Sequence, residues 1–340
     1  MKSDDMKLLS FFCGCGGLDL GFRRAGYKIA WANDNAHSVK DTYEYNFPET
    51  VFCDGNINDL SLDAIPSGAV GIIGGPPCQS WSNAGKGGGF GDPRGRVFLT
   101  FINILKEKKP LFFVAENVKG LLAARNKESF NIIENLFVAA GFDVWINCLN
   151  ANDYDVPQNR ERVFFVGFRK GLGVNYEFPR PCEIKPVVRD AIGDLQYSAV
   201  PMGQTPVLNA HEYWQGSYSY IFMSRNRVLD WNKPSYTVQA SGRQTSIHPQ
   251  APKMIKIEKD HFEFSQEELH LYRRLTAREC ARIQTFPDDF IFKYKTQNDA
   301  YKMIGNAVPV NLAYHIGLSI KRELDNLGGC ELLSDVQVTA

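Results

Sequence analysis

The sequence is short of several features that would place it in a common class. It has no excess of either charge: 38 Lys and Arg face 38 Asp and Glu over 340 residues. That argues against a protein that simply coats nucleic acid, though not against a local basic face. It has no long hydrophobic run; stretches 8–13 and 111–115 fall far short of the ~20 apolar residues of a bilayer span. The polar, acidic start, 1–7, has no basic region feeding an apolar stretch and no cleavage site, so a cytoplasmic protein with no membrane partner is expected. Its eight cysteines (Cys13, Cys15, Cys53, Cys78, Cys148, Cys182, Cys280, Cys330) include no CxxC pair. Neither a zinc site nor a disulfide framework is therefore expected, and no metal is assigned. No internal repeat or low-complexity segment is present. What remains is ordinary globular composition, 44% hydrophobic and 22% charged, in a chain long enough for about two domains with a full core.

The first half alternates short apolar runs with helical patterns. Strands are expected at 7–12, 28–32, 50–53, 70–74, 111–115, 144–149 and 163–168, and helices at 18–25, 36–46, 97–106 and 131–140. Such alternation predicts an α/β fold with a doubly wound, mostly parallel sheet. After residue 168 the texture changes to a proline-punctuated stretch (Pro179, Pro181, Pro186, Pro201, Pro206). Between 217 and 257 six basic residues meet one acid, a local surplus of five, with five aromatics interleaved. This predicts a smaller β- and loop-rich module. Helical pattern returns at 276–284 and 310–324.

Four clusters could carry chemistry. Phe12-Cys13-Gly14-Cys15-Gly16-Gly17 closes the first strand and opens a helix; its glycines permit a tight turn and close approach of a ligand to free N–H groups. A carboxylate after the second strand, Asp34, suits ribose hydroxyls or a helix cap. Gly74-Gly75-Pro76-Pro77-Cys78-Gln79-Ser80 follows the fourth strand, where open α/β sheets place ligands. Two prolines fix the backbone before Cys78, as a pre-organised thiolate nucleophile requires. Glu116-Asn117-Val118 follows the next apolar strand, and a carboxylate there is costly unless paired or used. In Gln158-Asn159-Arg160-Glu161-Arg162 the two arginines share one strand face and suit an anionic or carbonyl-bearing ligand.

Together with RxLTxRExARxQxFP at 273–287 and GNAVP at 305–309, these motifs, in this order, resemble the cytosine-C5 DNA methyltransferase family over about residues 6–324. The segments 222–227 and 236–244 look like the bacterial HaeIII-type modification enzymes, which methylate the inner cytosine of GGCC. The resemblance implies an S-adenosylmethionine-dependent methyltransferase fold acting on a flipped-out cytosine in duplex DNA. It implies catalytic roles for Cys78 (addition to C6), Glu116 (contact with N3), Arg160 and Arg162 (holding the base and adjacent phosphate). It implies S-adenosylmethionine binding by Phe12, Gly14, Cys15, Gly16, Gly17, Asp34, Ile57, Pro77, Val97 and Asn306. Asn56 stands where the family usually has Asp, and its carbonyl oxygen can accept the same bond; Asp54 is a poorer alternative. DNA contacts are expected from Ser80, Arg225, Arg227, Thr237, Arg243 and Gln244, with the three arginines reading guanine. The glycine-rich stretch 82–91 would close over the base.

The expected organisation is a catalytic large domain of 1–179 and 290–330, a target-recognition domain of 180–289, and a tail, 331–340. The chain is expected to act as a monomer with no obligatory protein partner and to protect host DNA beside a cognate restriction endonuclease. An RNA cytosine methyltransferase would carry nearly the same catalytic set, and a silent DNA-binding relative would lack it. A nicotinamide oxidoreductase is disfavoured by the glycine spacing.

Overall fold

The computed structural model describes residues 6–77 and 93–328. Cys78, Ser80, the stretch 82–91 and the tail 331–340 lie outside the described residues. Seven strands form the central sheet: β1 (Lys7–Phe11), β2 (Lys28–Asp34), β3 (Val51–Asp54), β4 (Gly71–Gly74), β5 (Phe112–Val118), β6 (Phe142–Asn150) and β7 (Glu161–Arg169). Their order is β3-β2-β1-β4-β5-β7-β6. β7 runs antiparallel to both of its neighbours, and the other pairs are parallel.

Alternation along the strands sorts side chains to two cores. Leu8, Ile73, Phe112, Val114, Phe164 and Val166 face one core, shared with α1 (Gly17–Arg24) and the C-terminal helices. Leu9, Phe11, Ile72, Phe113, Ala115 and Phe165 face the other, shared with α3 (Pro93–Lys108) and α4 (Lys127–Ala139). α2 (Lys40–Asn46) packs Tyr43 into the first of these cores. Both faces are covered, as a doubly wound sheet requires.

After α5 (Val188–Ile192), two small sheets form, β8 (Val200–Pro201) with β9 (Glu212–Tyr213) and β10 (Ile255–Glu258) with β11 (His261–Glu263). Phe222, Val228, Ile247, Ala251 and Met254 make a separate small core. In contrast, α6 (Ala277–Ile283) packs into the large core, as do α7 (Gln297–Asn306) and α8 (Val310–Asn326). α8 lies against α1: the Gly21 Cα position approaches Ala313 and Val310 so closely that a Cβ there would sit 2.4 Å from the Ala313 methyl.

Several element boundaries differ from the sequence reading, and one helix is additional. α4 starts four residues earlier than 131, and the 36–46 helix opens with a 3-10 turn at His37–Val39. α7 was not anticipated, although Thr296 and Asp299 form a reciprocal capping box at its start, a signal readable from sequence.

Candidate active site

One register row crosses the sheet: Asn33 pairs with Phe11, Phe11 with Gly74, and Gly74 with Ala115. The next residue of each strand or strand end is Asp34, Phe12, Gly75 and Glu116. All four line a cleft of about 460 Å³. It opens at the carboxyl ends of β1 and β4, where the strand order reverses, the expected ligand position for such sheets. Its wall is completed by Gly14, Gly17, Pro77 and, from α7 and the loop after it, Lys302, Met303, Asn306 and Val308.

The glycine loop is built for this position. Gly14 and Gly16 take left-handed φ of 55° and 90°, and Phe12 does so at 55° without being glycine. Local strain of that kind persists where surroundings over-determine it. Gly17 abuts the 305–309 loop: a Cβ there would lie 2.4 Å from the Val308 carbonyl oxygen. Asp34 braces the loop by accepting from Gly14 N–H and Ala36 N–H, each at 2.8 Å. A carboxylate has about four lone-pair sites, so acceptor capacity remains toward the cleft. Burial raises the Asp34 pKa against these backbone donors.

Behind the loop, Asp19 is fully buried and accepts from Ser10 Oγ and the Tyr43 hydroxyl. Burial outweighs both bonds and pushes its pKa up to about 6. Ser10 thus supplies the partner of a buried acid one helical turn inside the loop. Cys15 is buried with its thiol directed to the Met303 carbonyl, and burial raises its pKa to about 12. It and Gly16 support the cleft from behind rather than line it.

At the other end of the cleft stands an ion pair. Glu116 lies within β5, not after it; it opposes Phe164 on antiparallel β7, and Arg162 is its diagonal neighbour on the same face. Arg162 Nε meets Glu116 Oε1 at 2.8 Å, each side chain 14% exposed. Burial raises the Glu116 pKa, while Arg162 and Arg160 oppose that rise. The next residue, Asn117, turns the other way and donates from Nδ2 to the Pro76 carbonyl at 3.0 Å. Asn117 thereby ties the Glu116 motif to the Pro76 motif.

Arg160 does not share the exposure of Arg162. It is 1% exposed, and its guanidinium donates to the carbonyls of Val238, Gly305 and Ala307. Gln158 joins the same hub: it donates to Gln284 and accepts from Val238 N–H, while Gln284 donates to Ile304 and Ala307. Period two would place the arginines alike, but β7 begins only at Glu161, so Arg160 lies just outside the strand and its side chain is buried. The 273–287 motif is likewise structural: Arg273 holds Glu279 through two 2.8 Å bonds, and Arg278 donates to the carbonyls of Asn209, Pro287 and Phe290.

The remaining expected residues divide. Among the described residues lining the cleft, Asn56, Ile57 and Val97 are not represented. Asn56 caps a short turn by accepting from Asn58 N–H, and Asp54 is turned to His37 at 2.8 Å. Ile57 is buried and Val97 half-buried in the core that contains Phe11. In the basic segment Arg225, Arg243 and Gln244 are exposed. Arg227 is 9% exposed and donates from Nε and Nη2 to the carbonyls of Phe222 and Ile221, so much of its fork is spent on the fold. Thr237 donates to the Asn159 carbonyl, linking this segment to β7.

Comparison with known proteins agrees with this geometry. Residues 6–322 match the family model for C-5 cytosine-specific DNA methylase. The chain is 52% identical to Type II methyltransferase M.FnuDI of Fusobacterium nucleatum over 94% of its length and 95% of the relative's. It is 49% identical to Type II methyltransferase M.NgoPII of Neisseria gonorrhoeae, covering 94% and 96%. Among solved structures, the Entamoeba histolytica methyltransferase EhMeth superimposes with a TM-score of 0.70 at 20% identity, over 95% of this chain and 98% of that one, which supports the fold. The chain belongs to the C-5 cytosine-specific DNA methylase family and is a DNA cytosine-5 methyltransferase.

Proposed function

We propose that this enzyme methylates C5 of the inner cytosine of GGCC in duplex DNA through a covalent Cys78–C6 adduct, and that it protects host DNA in a restriction-modification system. The observation that carries the chemistry is the Glu116–Arg162 pair at 2.8 Å at the end of the same cleft that Phe12, Asp34 and Asn306 line, with Pro77, the neighbour of Cys78, on its wall.

The family is S-adenosylmethionine-dependent, and the cleft suits such a group. Its volume of about 460 Å³ is within the usual range for a cofactor-sized ligand. The glycine loop would admit it closely, Asp34 keeps acceptor capacity for hydroxyls, and Phe12 and Pro77 offer apolar walls. When bound, the cofactor supplies an electrophilic sulfonium methyl group.

The protein's residues account for the activation of the ring. C5 of cytosine is a poor nucleophile. Addition of the Cys78 thiolate to C6 drives an electron pair toward C5. A buried carboxyl with a raised pKa at N3 supplies a proton and limits the negative charge that develops. Arg162 orients that carboxyl through its bond to Oε1. After transfer, water takes the C5 proton, the C6–S bond breaks to release the Cys78 thiolate, and the N3 proton returns to Glu116, which restores the neutral ring. Arg160 acts as a positioning residue, locking the start of β7 to the 305–309 loop and to the recognition segment. Exposed Arg225, Arg243 and Gln244 are assigned to DNA, and Ser80 to the target nucleotide.

Bisulfite sequencing of mixed-sequence duplex DNA, treated with S-adenosylmethionine and either wild type or Cys78→Ser, tests the reading. Protection of the inner cytosine of GGCC by wild type alone is expected. Protection at another site would overturn the recognition assignment, and protection by the variant would overturn the nucleophile.

A further inference from the structure

Outside the cleft, three metal-ligating side chains of different chemistry converge: Asp155, Cys182 and His315. They come from three separate segments, the loop between β6 and β7, the proline-rich stretch after β7, and helix α8. Sequence spacing hid them, since Cys182 is 27 residues from Asp155 and 133 from His315.

Their donor atoms define a small triangle. Asp155 Oδ2 is 3.0 Å from His315 Nε2 and 3.5 Å from Cys182 Sγ, and Sγ is 3.7 Å from Nε2. A tetrahedral zinc ion with bonds of about 2.0 Å to N and O and about 2.3 Å to S has ligand–ligand edges of about 3.3 Å (N–O), 3.5 Å (S–O) and 3.6 Å (S–N). The observed edges match within a few tenths of an ångström. Magnesium and calcium prefer all-oxygen shells, whereas a thiolate, an imidazole and one carboxylate suit zinc.

The surroundings hold the triangle in place. Cys182 N–H donates to the Asp153 carbonyl at 2.8 Å, and Asn311 Nδ2, one turn before His315, donates to the Asp155 carbonyl at 2.9 Å. The His315 ring contacts the rings of Tyr154 and Tyr314. Such outer contacts orient ligands in metal sites. The Asp155 side chain is 49% exposed and lines a surface cleft with Pro157, Pro186, Asp190 and Arg282. Solvent therefore reaches the Asp155 carboxylate and can supply a further ligand.

We propose that Asp155, Cys182 and His315 form a zinc site, completed by water, that clips the stretch leading toward the recognition module onto α8. Binding deprotonates the thiol and releases that proton to solvent; no redox step is involved.

The test uses the full-length chain, chelator-treated and titrated with cobalt(II) and then zinc. One equivalent of cobalt should give a near-ultraviolet sulfur-to-metal charge-transfer band and the visible bands of tetrahedral cobalt, and zinc should abolish both. Cys182→Ser should remove the charge-transfer band, and His315→Ala should weaken binding by at least about tenfold. On wild-type protein, peptide-resolved alkylation should show zinc slowing modification of Cys182 by at least about tenfold, with Cys53 unaffected. This second readout stands if either variant fails to fold. Absence of the cobalt band in wild type, its survival in Cys182→Ser, or equal alkylation of Cys182 with and without zinc would overturn the proposal.

Discussion

The side-chain amide of Asn117 donates to the carbonyl oxygen of Pro76 over 3.0 Å, so the strand that presents Glu116 also fixes the backbone two residues before Cys78. On the proposed reaction, this bond links the strand carrying the acid to the segment that leads into the nucleophile. Catalysis that depends on their separation is sensitive to this bond, because a misplacement of about 1 Å can cost ~100-fold.

Asn117→Ala should lower kcat by about 10- to 100-fold, the equivalent of one lost buried hydrogen bond. Cofactor affinity should change little, since Asn117 does not line the cleft. Rates of adduct formation on duplexes carrying 5-fluorocytosine, from which C5 cannot lose a proton, measure the effect directly. An unchanged trapping rate would mean that Pro76 is held adequately without it.

On the proposed reaction Glu116 works in its protonated form. Burial raises its pKa and Arg162 opposes the rise. Glu116→Gln should therefore cost about 10²- to 10⁴-fold in kcat, the usual share of a general acid. Arg162→Ala removes the charge that favours the carboxylate. Its alkaline limb in kcat against pH should move upward relative to wild type, even as the maximum falls. A downward shift would assign that limb to another group.

Asp19 makes a prediction about stability alone. Its folded pKa of about 6 exceeds the ordinary carboxylate value of 3.8. A raised pKa means that its stabilising contribution is complete below the unfolded value and is lost as pH rises through the folded one. The stability of wild type relative to Asp19→Asn should fall by about 3 kcal/mol between pH 3.5 and 7. Paired urea denaturation curves across that window test the sign; a difference independent of pH would show that Asp19 ionises normally.

The arginines of the basic segment should separate into two kinds. Arg227 is buried and bonded to the Ile221 and Phe222 carbonyls at 2.8 and 2.9 Å. Arg227→Ala should destabilise the small core by about 2–3 kcal/mol, as loss of charge-assisted bonds does. Arg243 is exposed. Arg243→Ala should leave the melting temperature unchanged and weaken DNA binding. A fall of about one in the salt-dependence slope would mark a phosphate contact, and relaxed preference at one base pair a base contact. Thermal melts with binding isotherms at several salt concentrations distinguish these outcomes.

Local pattern determined a great deal. The central strands are legible because their apolar runs answer to burial on both faces of the sheet, and the glycine loop because left-handed turns at Gly14 and Gly16 need no partner to be foreseen. Cleft residues Phe12, Asp34, Pro77 and Asn306 were visible as motifs at strand and helix ends, and Glu116 as a charge in an apolar setting. What tertiary structure decided was the task of each polar group, because a hydrogen-bond partner can lie anywhere in the chain. Arg160 reads as the twin of Arg162 in sequence, yet its acceptors are 78 to 147 residues away, and they draw it into the interior. Arg227 reads as a base contact, yet nearby carbonyls claim it. Asn117 and Gln158 carry no sequence signal of the work they do. The Asp155, Cys182 and His315 triangle exists only because three distant segments meet, as no spacing along the chain records a distance through space.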